Sequence, residues 1–392
     1  MESLIEKKNI RIAVLQRVCP NYRAAIFRKL SSTMGENFIL FIGNDIPNSK
    51  VNSTTNLNNI NLKRLKTRFL HLGSRILPWH VGLISELHKF KPVVILCEGE
   101  SNFLGYIQAI IYRLLYKKDV ALMHWCFISL PGEPIEKRNF RSKIKAYFRR
   151  HFDAFVLYSS FSKERLLKLG QPAEKIFVAT NVGDVQHFLN LSDALTETKS
   201  EAKQKLALAD QFTVIYLGTL DENKRPDIML ELAKETPFKD INFVLLGSGS
   251  IYDKLKNRVR NENIANVYLP GRIEKELSLY LRSADALLIP GRGGIVMSEA
   301  MAFGVPVIVH QADGTEYDLV QNKVTGLLLQ NGSLTDFREA ITFLINNPVE
   351  SKKMAQNSEQ LVRTRFTTDN METQIINAAQ FAVTAKKINT NR

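Results

Sequence analysis

Glu299 is the residue of this chain whose setting is hardest to explain without a ligand. It lies on a predicted helix over residues 295–303, and its neighbours one turn away, Ile295, Val296, Ala302 and Phe303, are all apolar. A carboxylate on an otherwise apolar face must be paired or hydrogen-bonded, because unpaired burial costs several kcal/mol. Two readings fit. Either the acid sits at the edge of the face or accepts from nearby backbone, or it binds a vicinal diol such as that of ribose, whose hydroxyls supply two donors. Just ahead of it residues 290–294 read Pro-Gly-Arg-Gly-Gly, between the apolar run Ala286–Ile289 and the helix. A strand, a glycine turn and a helix beginning at the turn present backbone N–H groups to an anion.

A second stretch fits the same anion. Gly218-Thr219-Leu220-Asp221-Glu222-Asn223-Lys224-Arg225-Pro226 stands where a predicted strand over 213–217 meets its helix, the place where open α/β sheets bind ligands. A helix start alone offers an anion about 0.3–1 kcal/mol, and each charge-assisted hydrogen bond adds about 1.5–3 kcal/mol. Lys224 and Arg225 beside two helix starts therefore have the strength to hold a diphosphate without a metal; a solvated loop pair is the plain alternative. His124 ends a strand predicted over 120–123, at the same edge of the first half as the corner Glu98-Gly99-Glu100, and His310 ends a strand of the second half. A lone histidine is more often structural, and the edge position is what makes His124 a candidate.

Other chemistry is excluded. Gly247-Ser248-Gly249 looks like half a dinucleotide fingerprint, but Tyr252 stands where the third glycine belongs, so it reads as a structural turn. No serine elbow, His-Glu-x-x-His or phosphate-binding Walker loop occurs, and Cys19, Cys97 and Cys126 are widely separated. Neither a metal nor a cofactor is expected.

The 392 residues suit two domains, and 45% apolar with 23% charged residues is the composition of a soluble globular chain. A net charge of +14 points to an acidic partner. Lys137, Arg138, Arg141, Lys143, Lys145, Arg149 and Arg150 fall in one acid-free stretch, with Phe140, Ile144, Tyr147 and Phe148 at helical spacing. Such a helix lies on an anionic membrane surface at about 1 kcal/mol per well-placed cation, or packs its aromatic side on its own domain. The first residues, Met1 to Lys8, carry acids and no apolar segment of a signal peptide, and no apolar run reaches about 18 residues. A cytoplasmic chain, peripheral on the inner face of the membrane, is expected.

Predicted strands over 11–15, 38–42, 92–97, 120–123, 154–158 and 176–179 alternate with helices, and residues 44–64 read as a long polar loop. A polar, irregular stretch over 181–202 precedes a second series, with strands over 213–217, 242–246, 266–269, 286–289, 305–309 and 326–329. Both series predict open parallel sheets covered by helices, with a ligand at the strand ends.

Ser298-Glu-Ala-Met-Ala-Phe-Gly-Val-Pro-Val-Ile308 resembles the nucleotide-sugar motif of the family 4 retaining glycosyltransferases. Leu217-Gly-Thr-Leu followed by Lys224-Arg-Pro is similar to that family's diphosphate loop, and Leu246-Gly-Ser-Gly and Leu269-Pro-Gly-Arg-Ile273 fall in the family's order. So do Gly170-Gln-Pro-Ala-Glu-Lys-Ile176 and Asn181-Val-Gly-Asp184, while Pro20-Asn-Tyr-Arg-Ala-Ala-Ile-Phe27 resembles the first loop of members that build surface polysaccharides. The resemblance implies the GT-B fold: an acceptor-binding Rossmann-like domain over 1–187, a nucleotide-sugar domain over 188–367, and a helix over 368–392 that crosses back to the first domain. It implies that Glu299 holds the donor's ribose, and that Lys224 neutralises the diphosphate with Gly218, Thr219, Arg225, Gly293, Gly294 and Ile295. Arg272 and Ile273 would line the base, and His124 would stand near the anomeric carbon. The reaction implied is metal-free transfer, with retention, from a nucleoside-diphosphate sugar to a glycan or lipid-linked acceptor; no nucleic-acid partner is expected. Two departures stand out. The family's glutamate eight positions before Glu299 is Gly291 here, and its arginine in the diphosphate loop is Thr219; Arg292 or Arg225 would have to replace the lost charge. A nucleotide-sugar 2-epimerase on the same fold, or a non-catalytic nucleotide-sugar or nucleic-acid binder, are the alternatives.

Overall fold

Parallel strands covered on both faces must be apolar throughout, and most strands of this chain are. The computed structural model describes residues 10–46, 49, 51–73, 75–99, 102–135, 140–273 and 275–390. They form two units: Met1–Ser129, Glu133–Thr180 and Thr368–Arg392 make the first, Leu130–Gly132 and Asn181–Thr367 the second. The chain passes into the second unit after Thr180, earlier than the expected 187.

In the first unit β1 (Ile12–Leu15) leads through α1 (Asn21–Met34) to β2 (Phe38–Ile42) and β3 (Leu62–Arg64). The stretch expected as a loop runs on into an antiparallel hairpin, β4 (Thr67–Leu72) and β5 (Arg75–His80). Then come α2 (Leu83–Phe90), β6 (Val94–Glu98), α3 (Phe103–Leu115), β7 (Ala121–Cys126), α4 (Phe140–Arg149), β8 (Ala154–Leu157), α5 (Ser160–Lys168) and β9 (Ile176–Val178). The seven-stranded sheet has the order β3-β2-β1-β6-β7-β8-β9, all parallel. Ile12 pairs with Phe38 on one side and with Val94 on the other, so the strand order turns around β1.

The second unit starts with α6 (Val185–Ala194) and α7 (Lys199–Lys205) and builds a six-stranded sheet. Its strands are β10 (Phe212–Leu217), β11 (Ile241–Leu246), β12 (Val267–Gly271), β13 (Ala286–Ile289), β14 (Val307–Val309) and β15 (Gly326–Leu328). They are separated by α8 (Asp227–Lys234), α9 (Tyr252–Asn261), α10 (Leu277–Ser283), α11 (Ile295–Met301) and α12 (Glu316–Leu319), and followed by α13 (Leu334–Asn346) and α14 (Pro348–Thr364). The order β12-β11-β10-β13-β14-β15 turns between β10 and β13, where Val214 pairs with Ala286. Under the sheet lies a core that includes Phe238, Phe243, Leu245 and Phe337. The last helix, α15 (Thr368–Thr390), packs in the first unit on α1 and β7–β9, with Phe381 against Phe177 at 5.9 Å and Asp369 paired to Lys29 at 2.8 Å.

Candidate functional site

The point where a parallel sheet's strand order turns is where its loops part and a ligand fits. In the second unit that point is flanked by the loop after β10 and the turn after β13. The first begins at Gly218, whose φ is +145°. A Cβ on Gly247 would run into the Gly218 carbonyl oxygen, and one on Gly249 into Leu220. With Gly218 N–H donating to Leu246 (3.0 Å) and Leu220 N–H to Ser248 (3.0 Å), Gly247-Ser248-Gly249 is a structural turn that braces this loop. Asp221, buried, accepts from the Ser250 N–H (3.1 Å) and hydroxyl (2.7 Å). The loop then makes a short helical turn at Glu222–Lys224. A Cβ on Gly291 would lie 2.7 Å from the Lys224 carbonyl carbon and 2.9 Å from the Asn223 oxygen. The two loops therefore meet backbone to backbone, and Arg292 N–H points at Asn223 O at 3.4 Å.

Lys224 is half-buried, its Nζ 3.8 Å from a Cβ built on Gly218. Thr219 is exposed, its carbonyl accepting from the Tyr216 hydroxyl at 2.7 Å. Arg225 has a partner within the protein. Held at φ +53°, it donates through Nη1 to the Gly332 carbonyl at 2.9 Å and so ties two loops together. Arg272 is exposed and Ile273 half-buried just past β12. Arg292 is exposed, Gly293 half-buried and Gly294 buried, with Ile295 opening α11.

Glu299 sits on α11, half-buried. The fully buried Ser298 beside it donates to Ile295 O (2.8 Å) and accepts from Gly183 N–H (3.1 Å), which pins residues 181–184 to the helix. A Cβ on Gly183 would stand 3.0 Å from Glu299 Oε1. Among the described residues none donates a hydrogen bond to the Glu299 carboxylate, so the backbone-acceptor reading does not hold. Burial, with the like charge of Asp184 added, pushes its carboxyl up to about 7. An acid shifted in this way is a candidate for a functional position.

The first unit corrects the reading of His124. Strand β7 continues to Cys126, so His124 is inside it and not at its end. Its ring stacks on Phe152 (4.6 Å, 12°), meets Tyr106 edge-on at 5.1 Å, and places Nδ1 3.3 Å from Cys126 Sγ. Burial, assisted by the Arg149 and Lys145 charges, holds the imidazole down to about 3 and hence neutral. His310 points Nδ1 at the Leu329 carbonyl (3.0 Å). Of the basic stretch, 137–139 lie outside the described residues, as does Glu100. On α4 the aromatic side is divided: Phe148 packs edge-on against Phe103 at 5.0 Å, while Tyr147 is 58% exposed. Asp313 of the second unit escaped sequence reasoning; the available signal was its place just past a strand end.

Residues 198–361 match the family described as glycosyl transferases group 1. An uncharacterized glycosyltransferase of Methanocaldococcus jannaschii is 31% identical over 150 residues, 37% of this chain and 42% of that protein. The poly(ribitol-phosphate) alpha-N-acetylglucosaminyltransferase of Staphylococcus aureus is 22% identical over 201 residues, 50% of this chain and 38% of that protein. The chain thus spans less than half the length of these curated relatives. Among solved structures, Anabaena HepE in complex with UDP matches with a TM-score of 0.73 at 16% identity, over 95% of this chain and 100% of that one. A glycosyltransferase from Rickettsia africae matches at 0.72 and 12% identity, over 95% and 99%. Residues 198–361 are thus similar to the group 1 glycosyl transferases, and the chain has the two-domain GT-B fold.

Proposed function

We propose that this chain transfers a sugar, with retention and without a metal, from a nucleoside-diphosphate sugar bound in the second unit to a glycan or lipid-linked acceptor of surface polysaccharide synthesis. The observation that carries the reading is Glu299: a carboxylate with no donor among the described residues, beside a glycine turn and a lysine loop. A ribose diol supplies the two donors it lacks. Lys224 and the amides of residues 293–295 then meet the diphosphate, and Arg272 and Ile273 border the base. Lys224 offsets the charge that grows on the departing diphosphate, which is how electrostatic preorganisation accelerates a transfer. Attack on the same face as the departing group, with the leaving phosphate taking the acceptor's proton, gives retention. The structures of HepE with UDP and with UDP-glucose support a nucleotide of this kind.

A cytoplasmic place on an anionic membrane surface belongs to the same reading. No described helix is long and apolar enough to cross a membrane. The basic α4 and the exposed Leu114, Leu115 and Tyr116, followed by Lys117 and Lys118, support surface binding. Co-sedimentation with vesicles containing phosphatidylserine, but not with pure phosphatidylcholine, is the expected outcome; equal binding to both refutes it.

The decisive experiment is calorimetric titration of the wild type and Glu299→Ala with UDP and GDP. Losing two charge-assisted hydrogen bonds weakens the preferred nucleotide at least about 100-fold, with the thermal unfolding profile kept. Unchanged affinity overturns the site, and an epimerised sugar formed without acceptor overturns the reaction.

A further inference from the structure

The chain enters the second unit through residues 181–184, and this segment lies against Glu299. It is held on both sides. Val182 and Val185 are buried, the Gly183 N–H donates to Ser298 Oγ at 3.1 Å, and the Gly183 carbonyl accepts from the Val185 N–H at 2.9 Å. Asp184 caps α6 by accepting from the His187 N–H at 3.2 Å. Gly183 therefore cannot back away from α11 without giving up a hydrogen bond. Its φ lies outside the left-handed region, so the backbone does not call for glycine. Space does. Of the three atoms nearest a Cβ built there, two belong to Glu299, Oε1 at 3.0 Å and Cγ at 3.3 Å, and the third is Ile295 Cγ2 at 3.1 Å. Contacts that tight make a neighbour give by a few tenths of an ångström. A second acid of this unit shows the opposite arrangement. A Cβ on Gly294 would overlap Asp313 Oδ2, but Asp313 Oδ1 already accepts from the N–H (3.1 Å) and the hydroxyl (2.5 Å) of Thr315. Glu299 has no donor among the described residues, so the glycine beside it keeps a carboxylate available to a ligand.

We propose that Gly183 is a positioning residue of the donor site: having no side chain, it leaves the Glu299 carboxylate in the place from which it accepts from both hydroxyls of a ribose. The proposal rests on the reading of Glu299 as the group that holds the ribose. A methyl at 183 displaces Oε1 and misaligns one of two charge-assisted hydrogen bonds, while contacts to the base and the diphosphate are kept.

Gly183→Ala tests it. One probe is the tighter-binding of UDP and GDP; the other is its dideoxy analogue, which lacks both ribose hydroxyls. The variant is expected to cut the preference for the ribonucleotide about tenfold, while the dideoxy analogue binds as it does to wild type. In a Glu299→Ala background the same substitution is expected to change that preference no further. Equal losses for the two probes overturn the proposal, because the methyl then acts through Ile295 and the turn. Urea unfolding adds a readout without ligand, and serves if Gly183→Ala folds poorly. Two of the three crowding atoms leave with the Glu299 side chain. The midpoint shift caused by Gly183→Ala is therefore expected to be more favourable in Glu299→Ala than in wild type, and shifts that simply add overturn the proposal. The two assignments separate. If Glu299→Ala abolishes the preference and Gly183→Ala keeps it, the ribose assignment stands and the positioning role falls. If Glu299→Ala itself keeps the preference, the ribose assignment falls and takes the positioning role with it.

Discussion

The two units repeat one topology and finish it differently. Each sheet turns its strand order beside its first strand, between β1 and β6 in one and between β10 and β13 in the other. In the first unit the ground beyond those strands is filled by side chains. Glu98 accepts from the Arg17 N–H at 2.5 Å, and the buried Arg23 lies between the rings of Trp125 (4.2 Å) and Tyr158 (4.7 Å). Ring faces hold that guanidinium at about 2 kcal/mol each when desolvated, although its Nη1 and the Trp125 Nε1 find no hydrogen-bond partner among the described residues. In the second unit the corresponding ground is left to backbone: Gly218, Gly247, Gly249, Gly291 and Gly294 each stand where another chain segment or a side chain occupies the Cβ position or lies against it. With topology held constant, side-chain volume distinguishes the two sheet edges and leaves main-chain amides uncovered by bulky side chains at the second.

The largest effect expected from this comparison is on stability. Gly247→Ala places a methyl on the Gly218 carbonyl at φ +149°, a backbone conformation that side chains rarely adopt. Overpacking and backbone strain together cost roughly 2–4 kcal/mol. Gly99→Ala, at the first unit's edge, meets the Cys126 side chain at 3.4 Å, an ordinary contact, and costs within about 0.5 kcal/mol. Urea unfolding of the pair measures the difference directly. Equal midpoints would mean that the glycine edge is not closely packed.

A smaller effect is about tenfold and follows pH. The folded state holds the Glu299 carboxyl at about 7 against an ordinary 4.5. A raised carboxyl contributes stability that is full below 4.5 and lost as pH rises through 7. On the proposed ribose role of Glu299, donor binding should run the other way, because an ionised acid is the form that accepts from both hydroxyls. UDP-glucose, which has no phosphate group titrating near neutrality, should bind roughly tenfold more tightly at pH 8 than at pH 6. Glu299→Gln should flatten that slope. A wild-type affinity constant across this range would separate Glu299 from the ligand.

Most of this architecture was legible from residue order. Runs such as Ile12–Leu15, Phe38–Ile42 and Ala286–Ile289 declare themselves because strands covered on both faces are apolar at every position. The hairpin of β4 and β5 was not legible: Leu70 is 51% and Leu72 68% exposed, and Pro78 interrupts β5, so neither alternation nor a continuous apolar run marks it. Glu299 was readable because a helix fixes its neighbours by period. Asp313 and Gly291 were not, since their meaning depends on loops far off in sequence folding onto one turn. The bond from Arg225 to the Gly332 carbonyl was hidden for the same reason, its partner lying far off in sequence.

The smallest expected effect is the sharpest contrast. Sequence placed His124 at a strand end, but β7 runs two residues further, and alternation along it sends His124 into the aromatic cluster while Trp125 faces Phe27 at 6.0 Å. A flat ring stacked on Phe152 asks for another flat ring, and phenylalanine provides one without the buried Nε2, which has no partner among the described residues. His124→Phe should therefore keep stability within about 1 kcal/mol, and turnover within threefold of wild type. A general acid or base in that position would cost about 10²–10⁴-fold. Burial that holds the imidazole down to about 3 keeps it uncharged at neutral pH and makes it a weak base. A hundredfold loss of turnover in a stably folded His124→Phe would return chemistry to the first unit and end the division of labour between a filled edge and a glycine one.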